Sequence, residues 1–454
     1  MRDLYSWPWV EEQVEQAIAS WNGCALPFLP ESPRYSPREQ HKREKAYDKG
    51  LRAVKREAMR APRTPAERVR MQQRIVAFFP GFAATALGLE GEAIGLLTNN
   101  FLPIGTQLAR WARSFDPTLS MADTIQACRN AWTCCGLQPL LGQPMKLTPS
   151  LLAYSLLYPY SDNYLDDPGL SADDKLQFSE RFRQRLRGQS PSARNPREEA
   201  IWMLVQLIEE QYPRQHFPQV FDCLLTIHRA QERSLAQLNG SAHFHNSLDN
   251  SLGNSELLRI SCAKGGTSVL ADACLAQPSL TPEEIRFSFE WGVLLQLGDD
   301  LQDVQEDLER GSITIFTRAA AQGMALDSRV MQLLHFSNRV ADRIDQLPSC
   351  TPVLKGLLRM SWRSLILMAV ANAHQFFSPA FLAELETCSF FRFNFLRARN
   401  QKLNDQGSLL PVIFEAFLEA REGDSGELSR SRESLPAHDL RSIDELGAWS
   451  NSFV

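Results

Sequence analysis

The run Gln296-Leu297-Gly298-Asp299-Asp300-Leu301-Gln302-Asp303-Val304-Gln305-Glu306-Asp307-Leu308-Glu309 is the most charge-patterned part of the chain. On a helix, Asp299, Asp303 and Asp307 fall at i, i+4 and i+8 and form one carboxylate stripe, with Glu306 flanking it. Between Thr281 and Asp307 the only Lys or Arg is Arg286. Like charges at i, i+4 weaken a helix by about 0.2–0.5 kcal/mol per pair. The stripe also precedes Gly311, so it lies toward a helix C-terminus, where the macrodipole disfavours anions. A helix shaped for solubility would interleave Lys here. The missing charge is that of a cation. Oxygen ligands alone select a hard ion, and Mg²⁺ suits them best because it keeps waters and shares substrate phosphates, with Mn²⁺ as the alternative.

A second run has the same character: Tyr160-Ser161-Asp162-Asn163-Tyr164-Leu165-Asp166-Asp167-Pro168-Gly169. Asp162 and Asp166 stand at i, i+4, and Pro168-Gly169 stops the helix directly after them. They too crowd a helix end of the wrong polarity. If the two helices face each other, their carboxylates converge at the rim of a helical bundle and can hold divalent ions that bind a diphosphate. Asp167 and Asp300 are adjacent carboxylates about 100° off their stripes.

Around these runs the chain reads as helix almost throughout. Apolar residues recur at three- and four-residue steps, as in Ile201, Leu204, Val205 and Ile208. The spacing predicts helices over Thr64 to Phe79, Met121 to Cys135, Pro149 to Asp166, Ala172 to Arg187 and Arg197 to Tyr212. It predicts further helices over Val220 to Leu238, Leu257 to Leu275, Pro282 to Glu309, Asp327 to Gln346 and Pro352 to His374. Strand-like alternation is scarce, so the fold class is all-α. The 454 residues are 44% hydrophobic and 22% charged, an ordinary soluble composition with 25 Phe, nine Trp and eight Tyr for a large interior. A net charge of -5 argues against a nucleic-acid coat. Nine cysteines without a CxxC pair read as reduced thiols and argue against a zinc site. The first residues carry Asp3, Glu11, Glu12 and Glu15, unlike a secretory signal, and Ile75 to Leu97 is too broken by Pro80, Glu90 and Glu92 to span a membrane. The expected compartment is cytoplasmic.

Composition divides the chain in three: a basic helical extension over residues 1–70, a catalytic domain over 71–400, and a C-terminal helix with a polar tail over 401–454. The extension carries Lys42, Arg43, Lys45, Lys49, Arg52, Lys55 and Arg56 against few acids. It suits peripheral contact with anionic lipid or a partner.

The two acidic runs, about 140 residues apart, resemble the paired metal motifs of class I isoprenoid synthases. Asp162-Asn163-Tyr164-Leu165-Asp166-Asp167 is similar to their DDxxD-type motif, with Asn163 in place of the second aspartate. Asp299, Asp303 and Asp307 have the spacing of the second metal triad of terpene synthases. Gln296 to Asp303 is also similar to the FQxxDDxxD segment of trans-prenyltransferases. A further likeness is to bacterial large-terpene synthases of the tetraprenyl-β-curcumene synthase type. Their second motif is matched by Asp299, Asp303, Glu306 and Asp307, and their Gly-Ser turn by Gly265-Gly266-Thr267-Ser268.

The resemblance covers roughly residues 70 to 400. It implies a bundle around a central apolar cavity and three Mg²⁺ ions that bind the diphosphate of an allylic isoprenyl substrate. Asp162, Asp166, Asp299, Asp303 and Asp307 would carry the chemistry, with Asp167 and Asp300 as further ligands. The expected outcome is ionisation, then cyclisation or proton elimination. Arg229, Arg233, Lys264, Arg310 and Gln296 are the candidate diphosphate or substrate contacts, with His228 beside Arg229. A homodimer would also be in keeping with the family.

Two other readings compete. A trans-prenyltransferase would add isopentenyl diphosphate, but the Arg pair expected after the first motif is replaced by Pro168-Gly169-Leu170-Ser171. A catalytically silent helical scaffold would leave two acidic stripes that only destabilise. Asp173-Asp174 falls short of the acid motif of protonation-initiated cyclases, because Ser171 stands where that motif needs Asp.

Overall fold

Six helices begin the same way: a Ser, Thr or Asn caps the first turn and Pro follows at its first position. These are the starts at Ser36, Thr64, Thr148, Asn195, Thr281 and Thr351. The side-chain oxygen satisfies an orphan N–H, and Pro lacks the N–H that would be orphaned in any case. A computed structural model describes residues 7–60, 63–167, 169–237, 253–347, 349 and 351–405, with backbone alone for Pro65, Asp166 and residues 400–405. The polar tail beyond residue 405 lies outside the described residues. Among the described residues the protein is all-α, without a β-strand. No helix among them is long and apolar enough to cross a membrane. The eight described cysteines are all buried and free.

The helices are α1 (Trp7–Asn22), α2 (Pro37–Ala58), α3 (Pro65–Phe82), α4 (Gly91–Leu96), α5 (Leu102–Phe115), α6 (Met121–Leu140), α7 (Pro149–Asp166), α8 (Ala172–Leu186) and α9 (Pro196–Gln211). They continue as α10 (Pro218–Ser234), α11 (Asn254–Ala276), α12 (Pro282–Gln302), α13 (Val304–Arg310), α14 (Ile315–Ala321), α15 (Asp327–Arg343), α16 (Pro352–Asn372), α17 (Pro379–Glu386) and α18 (Phe393–Asp405). They form two compact units. Among the described residues, one comprises those up to residue 33 and those of 133–386, the other those of 34–132 and those from 387 on. Composition had drawn the lines at 70 and 400. In contact terms the first helix instead belongs with the acidic helices, and residues 34–132 form a unit with the C-terminal part.

In the larger unit α11 is buried on nearly every side, from Leu257 to Leu275. A helix apolar all round belongs at a centre, and α1, α7, α10 and α12 pack on it. Gly265 and Gly266 do not interrupt it, although glycine weakens a helix interior. Their role is contact. A Cβ on Gly265 would overlap the Gly292 carbonyl of α12, one on Gly292 would overlap the Gly265 carbonyl, and one on Gly266 would enter the Phe289 ring. The two helices therefore meet backbone to backbone. Tyr154 of α7 donates from its hydroxyl to the Ser268 carbonyl of α11 at 3.1 Å, which fixes α7 to the same helix.

The predicted single helix Pro282 to Glu309 is in fact two. Asp303 (φ -93°, ψ 7°) separates α12 from α13. Yet the i, i-4 bonds run on, from Asp303 N to Asp299 O at 2.9 Å and from Asp307 N to Asp303 O at 2.8 Å. Repulsion between stacked carboxylates and the poor helix propensity of Asp account for a break at this point.

In the smaller unit α2 packs on α3. Tyr47 lies among Phe82, Phe391 and Phe395, with centroids 5.5, 5.6 and 5.7 Å away.

The glycine contact leads to a paired expectation. Gly292→Ala should cost about 3 kcal/mol or more, because helix backbones cannot yield as a side chain can. Gly298→Ala, with nothing within 4 Å of the added methyl, should stabilise by about 0.5–1 kcal/mol. Urea denaturation of the two variants measures both.

Candidate functional site

Lys264 stands one residue before the glycine contact, on α11. Its Nζ lies 3.2 Å from Asp162 Oδ2 on α7. This ammonium group therefore pairs directly with the first acidic run. Asp299 and Asp303 are exposed, and Asp307 and Asp162 are half-buried. The Asp307 carboxyl is pushed up to about 6, by burial first and then by the charges of Asp303 and Glu306, against Arg310 and Lys264. Negative charge is therefore in excess at this end.

Asp300 belongs to a different environment. It is 6% exposed, and both its oxygens accept hydrogen bonds at 2.8 Å, one from Ser261 of α11 and one from Gln296. Burial, with added repulsion from Asp299 and Asp307, raises its carboxyl to about 7, against those two hydrogen bonds. Gln296 is thereby committed to Asp300. Asp167 accepts from the Gly169 N–H at 2.8 Å and faces Arg197 at 3.8 Å, so it stands apart from the Lys264 link. The side chain of Asp166 lies outside the described residues.

The candidate cations divide. Arg229 and Arg233 share a face of α10, as i, i+4 spacing requires, but that face meets α1. Their guanidinium carbons lie 4.5 and 5.0 Å from the Trp7 ring centre. Arg233 also pairs with Glu11 at 2.8 Å and Glu256 at 3.4 Å. Arg310 is exposed and pairs with Glu306 of its own helix. His228 is buried, and burial holds its imidazole below the usual range.

Among the described residues no three His, Cys, Asp or Glu side chains stand close enough to cage a metal ion. A Mg²⁺ site does not need such a cage, because Mg²⁺ is commonly held by one or two carboxylates together with waters and substrate phosphates. An all-oxygen donor set with surplus negative charge fits that kind of ion. Below the acidic end of α7, Tyr154, Tyr158 and Ser161 face Phe182 of α8 and Leu224, His228 and Gln231 of α10 across a cavity with room for about one water molecule. Trp291, on the Asp299 stripe, packs in the core against Trp362 at 5.3 Å. Compared with known proteins, the chain matches no family model and no curated protein.

The sequence reading passed over Asp272, on α11. It is 3% exposed and accepts a hydrogen bond from the Cys134 thiol at 2.5 Å. A single aspartate inside an apolar run was the available signal. Burial raises its carboxyl from 3.8 to about 8. The folded protein therefore holds a proton that the unfolded chain has lost, and stability falls as pH rises between these values. The slope for this one group is about 1.4 kcal/mol per pH unit. Asp272→Asn should match the wild type near pH 4 and exceed its stability by an amount that grows up to pH 8. Urea denaturation across that range reads the difference.

Proposed function

We propose that the protein is a Mg²⁺-dependent class I terpene synthase of the isoprenoid-synthase type. In this reading it ionises an isoprenyl diphosphate, and cyclisation or proton loss follows. The observation that carries the reading is the ion pair of Lys264 on α11 with Asp162 of the first acidic run, on the helix whose Ser261 also holds Asp300 of the second. A carboxylate pattern that weakens each helix by itself gains a purpose when both ends serve one cationic ligand set.

In this reading Asp162 and Asp166 on one side, and Asp299, Asp303 and Asp307 on the other, are the metal-holding carboxylates. Bound Mg²⁺ would supply electrostatic stabilisation of the negative charge developing on the departing diphosphate. Lys264 acts at the same place. Its ammonium pairs with Asp162 and, with Asp162 engaged on a metal, would be a donor for diphosphate oxygen. Asp300 works from behind the stripe. Held by Ser261 and Gln296, it fixes the α11–α12 register from which Asp299 and Asp303 project. Tyr158 and Tyr154 stand one and two turns below Asp162, where their ring faces can stabilise a hydrocarbon cation. The cavity there has room for about one water molecule, so it does not by itself hold a long substrate.

Purified protein with Mg²⁺ and geranyl, farnesyl, geranylgeranyl and longer diphosphates should release inorganic diphosphate and a hydrocarbon from one of them. Asp299→Ala and Asp303→Ala should each lower turnover by at least about a hundredfold, on the scale of one lost electrostatic contact to the transition state. Mg²⁺ should raise the melting temperature of the wild type and not of these variants, because a ligand stabilises only the state that binds it. A longer diphosphate formed only with isopentenyl diphosphate would identify a condensing enzyme instead. No turnover and no Mg²⁺ effect would overturn the reading.

A further inference from the structure

In the smaller unit, α2 carries a charge pattern of the opposite sign. Between Arg34 and Arg74 there are fourteen basic residues and five acidic ones. Arg38, Lys42, Lys45, Lys49, Arg52 and Arg56 follow one another at alternating steps of four and three, so they line one face of the helix. All six are exposed. The row runs along about 27 Å of helix.

The acids of α2 are engaged elsewhere. Glu39 closes the capping box with Ser36 at 2.7 Å. Glu44 accepts from Arg392 at 2.9 Å, and Asp48 pairs with Arg399 at 2.7 Å. Glu57 pairs with Arg60 at 2.8 Å and Arg74 at 2.7 Å. Among the described residues none of the six cations of the row has an ion-pair or hydrogen-bond partner. Each neighbouring pair in the row repels, so the row weakens the helix that displays it. A merely solvated face would mix signs. Met59 stands at the next step of the same register, immediately after the helix, and is 71% exposed.

We propose that this face of α2 is an electrostatic docking surface for an anionic lipid bilayer. A plane of headgroup phosphates meets a straight row of cations along its whole length, and clusters of this size bind acidic lipid. Met59 continues the row with an apolar side chain that can enter between headgroups, as interfacial helices do. A nucleic-acid surface would pair its cations with stacking rings. The row itself contains none, and the nearby rings of Tyr35 and Tyr47 are spent on Phe390 and on Phe82, Phe391 and Phe395 inside the unit. The inference stands apart from the enzymatic reading.

Co-sedimentation of the full-length protein with vesicles tests it. The protein should pellet with phosphatidylcholine vesicles containing phosphatidylserine, stay in solution with phosphatidylcholine alone, and be released by added salt. Each cation removed should weaken binding about fivefold, so Lys42→Gln/Lys45→Gln/Lys49→Gln should bind about a hundredfold less tightly. Arg38→Gln/Arg52→Gln, an independent variant on the same face, should lose about twenty-five-fold. Both should keep wild-type helicity by circular dichroism, since the altered side chains are exposed and unpaired. Equal partition to neutral and acidic vesicles, or folded variants that bind acidic vesicles like the wild type, would overturn the proposal. So would retention of the protein by duplex DNA but not by acidic vesicles.

Discussion

The backbone contact between Gly265 of α11 and Gly292 of α12 is the constraint on which the larger unit depends. With any side chain at either position the helices would have to separate, because a Cβ would occupy the partner's carbonyl. At this spacing Ser261 reaches Asp300, and Gln296 supports the same carboxyl from its own helix. Lys264 leaves α11 one residue before the contact and meets Asp162 of α7. The Tyr154 bond to Ser268 ties α7 to the same stretch of α11. Both acidic helix ends are thus positioned from a few residues of one buried helix.

Environment, not residue type, separates the carboxylates. Burial raises the carboxyls of Asp272 to about 8 and of Asp300 to about 7, against the hydrogen bonds each accepts, so at pH 7 the first is mostly protonated and the second about half. Asp299 and Asp303 stay in contact with water. Asp307, half-buried on the same stripe, has a raised affinity for protons, through burial first and then the repulsion of its neighbours. The chain keeps like charges stacked at both signs, acidic on α12–α13 and basic on α2. Each row is locally unfavourable, and the partner proposed for each is of the opposite charge: a divalent cation for one, acidic lipid for the other.

Much of the helical frame was legible because its signals are local. Thr281-Pro282 and Thr148-Pro149 mark helix starts through one hydrogen bond and one missing N–H, both inside a single turn. The acidic stripes were legible for the same reason, since i, i+4 spacing needs no knowledge of the rest of the chain. The interruption at Asp303 was not foreseen. Nor was the use of Gly265 and Gly266, which periodicity alone presents equally well as a kink or as a contact. Arg229 and Arg233 were placed correctly on one face of α10, yet that face meets Trp7 and Glu11, more than two hundred residues earlier in the chain.

By itself the sequence determined the all-α class, helix starts such as Pro149 and Pro282, and the two runs of carboxylates with too little local counter-charge. These depend on dihedral preference, hydrogen bonding and charge spacing within a few turns. Only the tertiary structure decided that Lys264 pairs with Asp162, that Asp300 is a buried support while Asp299 beside it faces water, and that His228 is buried. Those outcomes follow from desolvation and from contacts between helices distant in sequence. Adjacent residues on a helix point about 100° apart, and what each then meets is set by neighbours that no local pattern names.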